Sequence, residues 1–356
     1  MEHFYNIYKK MFEIVHSQSL PTIQFVKVDR PIIPQNNDLI KLNISNSIAT
    51  YHSQINIRNK MGNQKVNIIL HLFLQRDKPQ EIFHYILHIL YFFIQWKPAN
   101  CSRQLTIELY LTNYKKKLPP TKYKNLTTNE TNNAFTTSCA ENTNITIYRK
   151  EEWKKVLIHE IFHCYGLDFS ANNLLVQYAK QQLQKLFHIH STFQFYESFC
   201  ETNANLLFIC YNLCLLSKKP FQLTQFANKM EEFVATELKH SIQMTKLIFS
   251  HFGISFRNLI SGVEIPIETY EEILNEQNNN LIVYFFIRTI FLFYCKNYLQ
   301  LWLGGNGGQI AFLQTKGNIN RFLSLVQRGI QDTKYIGAFE NEPIPTKKYL
   351  RMFSFD

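Results

Sequence analysis

The segment VLIHEIFHCYGLDFS, residues 156–170, contains residues whose types and spacing can do chemistry. It places His159 and His163 four positions apart with Glu160 between them. On a helix, side chains four positions apart lie on one face, so both imidazoles can reach a single metal ion. Glu160 then lies beside the open coordination position, where a carboxylate can accept a proton from a water molecule. The segment therefore predicts a catalytic zinc site with Glu160 as its general base.

In His159, Glu160 and His163 the chain resembles the zincin metallopeptidases. The resemblance implies one Zn²⁺ per chain, a protein or peptide as substrate, and hydrolysis of peptide bonds. The longer segment that begins at TSCAEN and runs through the metal motif also resembles uncharacterised metallopeptidases encoded by large nucleocytoplasmic DNA viruses. That second resemblance implies a viral protein located in the host cytoplasm or the virion.

The zincin resemblance also assigns a strand to the substrate. In zincins, the edge strand ahead of the metal helix holds the peptide substrate in an extended form. Here the segment ITIYR, residues 145–149, comes directly before the predicted metal helix. The resemblance therefore implies that Ile145, Thr146 and Ile147 bind the substrate.

Catalytic zinc normally has three protein ligands, so the two histidines need a third. The metzincin pattern has a histidine where this chain has Phe169. Asp168 is one position early, and a shift of one residue in a tight turn changes the direction of a side chain, so we keep it as an alternative metal ligand. His188, in the segment LFHIHS, is a further alternative.

The segment FYESFCETNANLLF, residues 195–208, supplies the preferred third ligand. Glu197 and Glu201 lie four positions apart on one face of a predicted helix, and that face continues with apolar residues. Two carboxylates on a face that is otherwise apolar need partners. The gluzincin branch of the zincins has such a pair, and resemblance to it implies that Glu197 binds zinc while Glu201 orients His159.

Hydrolysis of a peptide bond also needs a donor that stabilises the tetrahedral oxyanion. A phenol or an imidazole can donate such a hydrogen bond. Tyr165, Tyr196, His240 and His251 are candidates, and the sequence leaves their order open.

The pattern of elements predicts an α+β fold. Before residue 150 the segments TIQFVKV, LIKLNIS, INIRN, VNIILHLFL and QLTIELYLT are β-branched and aromatic, as in strands. A helix is predicted from about Pro79 to Trp96, and a long loop from Pro119 to Asn144. From Glu151 onward the pattern is helical, and Gly166 is placed to end the metal helix. Further helices are predicted at about 171–187, 193–217, 221–251, 268–278, 281–302 and 318–331.

These elements suggest two subdomains. Residues 1–166 form a β-rich, zincin-like part, in which a mixed sheet with helices ends in the active-site helix. Residues 167–356 form a mainly helical part that carries the third ligand.

The net charge of +11 favours acidic partners such as nucleic acid. The lysines occur in short groups, such as Lys115 to Lys117 and Lys154 with Lys155, and no nucleic-acid-binding motif accompanies them. We therefore predict that these groups are solvated surface. Association with nucleic acid and a non-catalytic, structural role of a zincin fold in a virion remain the alternatives to a peptidase. Nothing in the sequence specifies an oligomeric state.

The seven cysteines have irregular spacing, which argues against a disulfide framework. Cys164, Cys200, Cys210 and Cys214 fall in apolar helical segments and are predicted to be buried thiols. The first residues are interrupted by charges and lack the apolar core of a signal peptide. These features predict a cytoplasmic protein that is not secreted.

Two apolar segments resemble membrane spans in composition. Residues 82–96 are too short to span and contain His84, and residues 281–303 contain a central Arg288 that is costly in lipid. Both are therefore predicted to be core helices, and no transmembrane span is expected.

Overall fold

A computed structural model gives the fold of the chain. It describes residues 1–17, 24, 26–28, 49–59, 62–73, 78–121, 126–187, 193–261, 276–351 and 353–355. Within them, one mixed sheet is combined with a largely helical second half. The predicted α+β fold class is confirmed in this general form.

The described strands form a single mixed sheet. They are β1 (Val26–Val28), β2 (Ala49–Asn59), β3 (Gly62–Leu72), β4 (Gln104–Tyr110), β5 (Ala134–Thr136) and β6 (Asn142–Ile147). Their order across the sheet is β1-β2-β3-β4-β6-β5. The pairs β3–β4 and β4–β6 are parallel, and the other neighbours are antiparallel.

Helices precede, interrupt and follow the sheet. They are α1 (Glu2–Val15), α2 (Pro79–Phe93), α3 (Thr128–Thr131), α4 (Trp153–Cys164), α5 (Asn173–Leu186), α6 (Phe195–Leu215), α7 (Leu223–Phe252), α8 (Phe256–Ser261), α9 (Glu276–Phe293), α10 (Cys295–Trp302), α11 (Lys316–Gln331) and α12 (Thr333–Asn341). The chain passes from β3 to the parallel β4 through α2, as parallel strands require a crossover. Helix α6 is buried along most of its length, and it contacts α1, α4, α5, α7 and α9.

The hydrophobic core is continuous across both halves of the chain. On β3, Val66 and Ile68 are fully buried between more exposed neighbours, and Ile107 is buried on the adjacent β4. Alternation of this kind places the buried residues on one face of a sheet. The same cluster of buried side chains extends through the helices of the second half. Residues 1–166 and 167–356 therefore share one core.

Gly166 ends helix α4, as the sequence predicts. Its φ of +63° lies in the left-handed region that favours glycine. The N–H of Gly166 donates to the carbonyl of His163, and the N–H of Leu167 donates to that of Phe162. These two bonds satisfy carbonyls that the end of a helix leaves without partners.

The strand predicted at the edge of the sheet, residues 145–149, is not at the edge. The predicted loop between Pro119 and Asn144 contains α3 and β5, and β5 pairs with the outer side of β6, with Phe135 opposite Thr146. Ile145, Thr146 and Ile147 are therefore inside the sheet, and Ala134–Thr136 forms its edge. Three residues in a polar segment are too few to show the alternation by which a strand is recognised.

Other differences concern the ends and breaks of helices. Helix α1 was not predicted, because the first half of the chain reads mainly as strand. The helix predicted at about 281–302 is divided into α9 and α10, which are bent by 98°. The strand predicted from LIKLNIS and most of the helix predicted at about 268–278 lie outside the described residues.

A disulfide joins Cys101 to Cys139, a pairing that the cysteine spacing did not indicate. The cysteines predicted to be buried thiols, at positions 164, 200, 210 and 214, are free and buried.

No single helix in the described ranges is long and apolar enough to cross a membrane. The bent pair Leu281–Phe293 and Cys295–Asn306 passes the length and composition criteria only when its two parts are taken together.

Gly166→Ala should destabilise the protein by about 1–3 kcal/mol, because alanine is strained at positive φ and must be accommodated in a tight space. A Cβ atom at this position would lie 3.1 Å from Sγ of Cys101 and Cβ of Cys139. Gly337→Ala is the control, since that helical position has nothing within 4 Å and alanine favours helix there. Urea denaturation measures both changes, and equal midpoints for the two variants would contradict this account.

Candidate metal centre

Helix α4 presents the two histidines to a common point. His159 and His163 lie one turn apart, and their Nε2 atoms are 3.1 Å from each other. Both rings are largely buried, with side chains 14% and 8% exposed. A separation of this size is close to the distance between two ligand atoms of one tetrahedral zinc ion, roughly 3.3 Å for bonds of 2.0 Å.

Helix α6 brings Glu197 to the same point. Its Oε2 lies 3.1 Å from Nε2 of His159 and 3.6 Å from Nε2 of His163. The three atoms therefore form a compact triangle that can hold a metal ion. The predicted convergence of Glu197 with the two histidines is present in the structure.

Each imidazole is oriented by a carboxylate on its other nitrogen. Nδ1 of His159 is 3.0 Å from Oε2 of Glu201, and Nδ1 of His163 is 2.5 Å from Oδ2 of Asp168. A carboxylate only accepts hydrogen bonds, so each Nδ1 carries the proton and a neutral ring presents its Nε2 lone pair to the other ring. Two lone pairs and the Glu197 carboxylate then face one another, and a positive charge between them is favourable.

The pKa directions in the metal-free protein agree with this requirement for positive charge. Burial lowers the pKa of His159, but hydrogen bonds with Glu197 and Glu201 outweigh it and raise that pKa to about 9. Burial alone would raise the pKa of Glu197, yet the neighbouring His163 and His159 hold that pKa far below the usual range. The carboxylate of Glu197 therefore stays ionised, as a metal ligand must be.

Asp168 does not lie at the point that His159, His163 and Glu197 share; with His163 and Cys200 it forms a second group of possible ligand atoms. Its carboxylate lies on the Nδ1 side of His163, whereas the Nε2 side faces His159 and Glu197. The N–H and hydroxyl of Ser170 donate to its other oxygen. Asp168 orients His163, as Glu201 orients His159. His188, the other alternative ligand, lies outside the described residues.

The carboxylate of Glu201 is held by three donors from two other helices. Its Oε1 accepts hydrogen bonds from Nζ of Lys155 at 2.5 Å and from Arg288 at 3.0 Å, in addition to the bond of Oε2 with His159. The side chains of Glu201, Lys155 and Arg288 are at most 3% exposed. Burial favours a higher pKa for Glu201, but the charges of Lys155, His159 and Arg288 hold the pKa well below its usual range.

Glu160 lies beside this triangle and faces a cavity. It is 8% exposed, and it lines a cavity of about 530 Å³ together with His159, His163 and Glu197. Burial raises the pKa of its carboxyl above the ordinary value. The edge strand β5 contributes Ala134, Phe135 and Thr136 to the same cavity. The volume is within the usual range for ligand sites.

The structure separates the candidate oxyanion donors. Tyr196 lines the cavity, and its ring is perpendicular to that of His163 at 5.9 Å between centroids. Tyr165 is fully buried and donates to Oε1 of Gln64, so it is not a donor to substrate. His240 is bound through Nε2 to the carbonyl of Arg351 and does not line the cavity, and neither does His251. Of the four candidates, Tyr196 is the one that lines this cavity.

Several residues of the site were not predicted from the sequence. The sequence predicts Lys155 on the surface, and it shows Arg288 only as an interruption of an apolar segment. Both had a usable signal: Lys155 lies four residues before His159 on the same helix face, and an arginine in an apolar helix needs a buried partner. Tyr284 of α9 also lines the cavity, and no sequence pattern marks it.

Glu201→Gln should destabilise the protein by about 3–5 kcal/mol, because it leaves the buried charges of Lys155 and Arg288 without their carboxylate. The control is Glu231→Gln, which removes an exposed ion pair of similar length with Lys296 and should change stability much less. Chemical denaturation at pH 7 measures both variants. Similar losses of stability in the two would show that the buried carboxylate is not a structural anchor.

No family model, no curated protein and no solved structure matches this chain. The functional interpretation therefore depends on the geometry of the site and on the chemistry of its residues.

Proposed function

We propose that this protein is a zinc-dependent metallopeptidase with a gluzincin-like site. His159, His163 and Glu197 would hold the metal, and Glu160 would act as general base. The observation that carries the proposal is the convergence of three ligand atoms, 3.1–3.6 Å apart, on the wall of an open cavity that Glu160 also lines.

The donor set fits zinc. Two imidazole nitrogens and one carboxylate oxygen are a known combination for catalytic zinc, and their separations agree with a tetrahedral arrangement. The outer nitrogens of both histidines are bound to carboxylates, an arrangement that orients metal-binding imidazoles and raises their basicity. A structural zinc site would have four protein ligands and no cavity. Three ligands beside a cavity favour catalysis.

A bound zinc ion supplies Lewis acidity, which polarises a carbonyl and makes a water molecule acidic near neutral pH. Glu160 would take the proton from the attacking water at its carboxylate and later deliver it to the nitrogen of the leaving amine. Burial raises the pKa of Glu160 above its ordinary value, a direction that favours a group that must both accept and donate a proton. Tyr196, on the cavity wall next to Glu197, is the remaining candidate from the sequence for donation to the oxyanion.

The substrate would lie along the edge of the sheet. Strand β5 pairs only with β6 among the described residues, so its outer edge offers backbone N–H and C=O groups beside the site. An extended peptide can add to such an edge through main-chain hydrogen bonds, which do not depend on its side chains. The role first assigned to Ile145–Ile147 therefore passes to Ala134–Thr136.

Zinc should co-purify at about one equivalent per chain, and chelation should lower the melting temperature, because a ligand of the folded state stabilises it. Glu197→Ala should weaken zinc binding more than Asp168→Asn, since the first removes a ligand and the second only an orienting group worth about 10–100-fold in affinity. Elemental analysis and competition with a chromophoric chelator measure these quantities. Failure of the protein to take up added zinc would contradict the proposal.

Glu160→Gln should retain zinc and the fold but lose peptide hydrolysis, because an amide cannot accept the proton of the attacking water. The measurement is cleavage of a mixed peptide library by the zinc-loaded parent and variant, analysed by mass spectrometry. Equal cleavage by both proteins would exclude Glu160 as the base. A parent that binds zinc but cleaves nothing in the library would favour the non-catalytic alternative.

A further inference from the structure

A second group of charged residues lines the same cavity, toward the beginning of α4. Lys116 and Lys155 both line it, although their side chains are only 1% and 2% exposed. Lys155 lies one turn before His159, and Lys116 binds Glu152, the residue that precedes the first turn of α4. The sequence had predicted both lysines on the surface. The cavity therefore extends from the candidate metal centre toward two buried ammonium groups.

The two carboxylates that bind these lysines, Glu152 and Glu201, also accept hydrogen bonds from other groups. Glu152 accepts hydrogen bonds from Nζ of Lys116, from Nδ2 of Asn133 and from the backbone N–H of Phe353. Glu201 is bound to Lys155, Arg288 and His159, as described above. Both carboxylates therefore have their hydrogen-bond donors within the protein.

The two lysines, in contrast, have N–H groups that no acceptor in the described residues uses. An ammonium group has three N–H donors, and each of these lysines makes one side-chain hydrogen bond to the residues that the structure describes. A buried N–H donor without an acceptor is costly, and a carboxylate that enters the cavity would accept hydrogen bonds from both ammonium groups.

We propose that this end of the cavity is a carboxylate subsite, in which Lys116 and Lys155 bind an anionic group of the substrate. The carboxylate would be either an acidic side chain or the C-terminus of a peptide whose scissile bond lies at the metal centre. The positions of Glu152 and His159 along α4 place the two ends roughly 10 Å apart, a span of about three extended residues. The inference rests on the proposed function, because it makes one cavity serve both the reacting bond and the anion.

Peptide binding tests the subsite without relying on turnover. The zinc-loaded Glu160→Gln protein is titrated by calorimetry with acetyl-Ala-Ala-Gln amide, which has no carboxylate. Acetyl-Ala-Ala-Glu amide adds a side-chain carboxylate, and acetyl-Ala-Ala-Gln with a free C-terminus adds a terminal one. At least one of these two should bind about tenfold or more tightly than the amide, as expected for charged hydrogen bonds, and the tighter one identifies the source.

Adjacent lysines provide matched controls. Lys116→Met and Lys155→Met should reduce the preference for the carboxylate to less than about threefold, whereas Lys117→Met and Lys154→Met, at exposed neighbouring positions, should preserve it. If a methionine variant does not fold, Lys116→Arg keeps the charge and should keep the preference. The comparison of the three peptides also stands without any lysine variant.

Two outcomes would overturn the subsite: no tighter binding of either carboxylate peptide, or equal losses from the buried and the exposed lysine variants. These results are separate from the test of the enzyme. A protein that prefers the carboxylate peptides but hydrolyses nothing would leave the subsite in place and remove the peptidase. A protein that hydrolyses peptides without any preference for a carboxylate would leave the peptidase in place and remove the subsite.

Discussion

The buried carboxylate of Glu201 is the interaction on which the site and much of the fold depend. A carboxylate in a protein interior loses its hydration, at a cost of several kcal/mol that only well-placed donors offset. Here the donors are Lys155 and His159 of α4 and Arg288 of α9, while Glu201 itself belongs to α6. One charged group therefore fixes three helices relative to one another. The same contact orients an imidazole of the candidate metal centre, so the packing of the helices and the geometry of the site are linked.

This link explains why the two halves of the chain form one unit. The sheet-containing half provides α4 and its two histidines, but it provides neither the third candidate ligand nor the group that orients His159. Both come from α6, and the charge that compensates Glu201 comes partly from α9. The continuous hydrophobic core across residue 166 is the apolar counterpart of this arrangement. Arg288, which interrupts an apolar segment in the sequence, is thus explained by a partner almost ninety positions away.

The parts of the structure that the sequence predicts are those set by local spacing. His159, Glu160 and His163 lie on one helix turn, and Glu197 and Glu201 on another, so helical periodicity alone places each set on a common face. The parts that the sequence does not predict depend on the path of the chain after a turn, on contacts between distant residues and on one very short strand. Asp168 faces Nδ1 of His163 because of the direction that the chain takes after Gly166, and Tyr165 is directed away from the cavity toward Gln64. The edge strand was misplaced because β5 has three residues. In the sequence, Lys116 and Lys155 resemble surface residues, because nothing there identifies Glu152 and Glu201 as their partners.

The two histidines differ in the charges that surround the carboxylates on their outer nitrogens. Glu201 shares its charge with Lys155 and Arg288, so His159 faces a carboxylate that is already compensated. Asp168 has no cation among its described partners other than His163 itself; its further donors are the N–H and hydroxyl of Ser170 and the thiol of Cys200. His163 therefore lies between two carboxyl groups, that of Asp168 on one side and that of Glu197 on the other. Burial lowers the pKa of His163, but the charges around it raise that pKa well above its usual value. Positive charge beside His163 is therefore favourable, and a metal ion held as proposed would supply it in place of a proton.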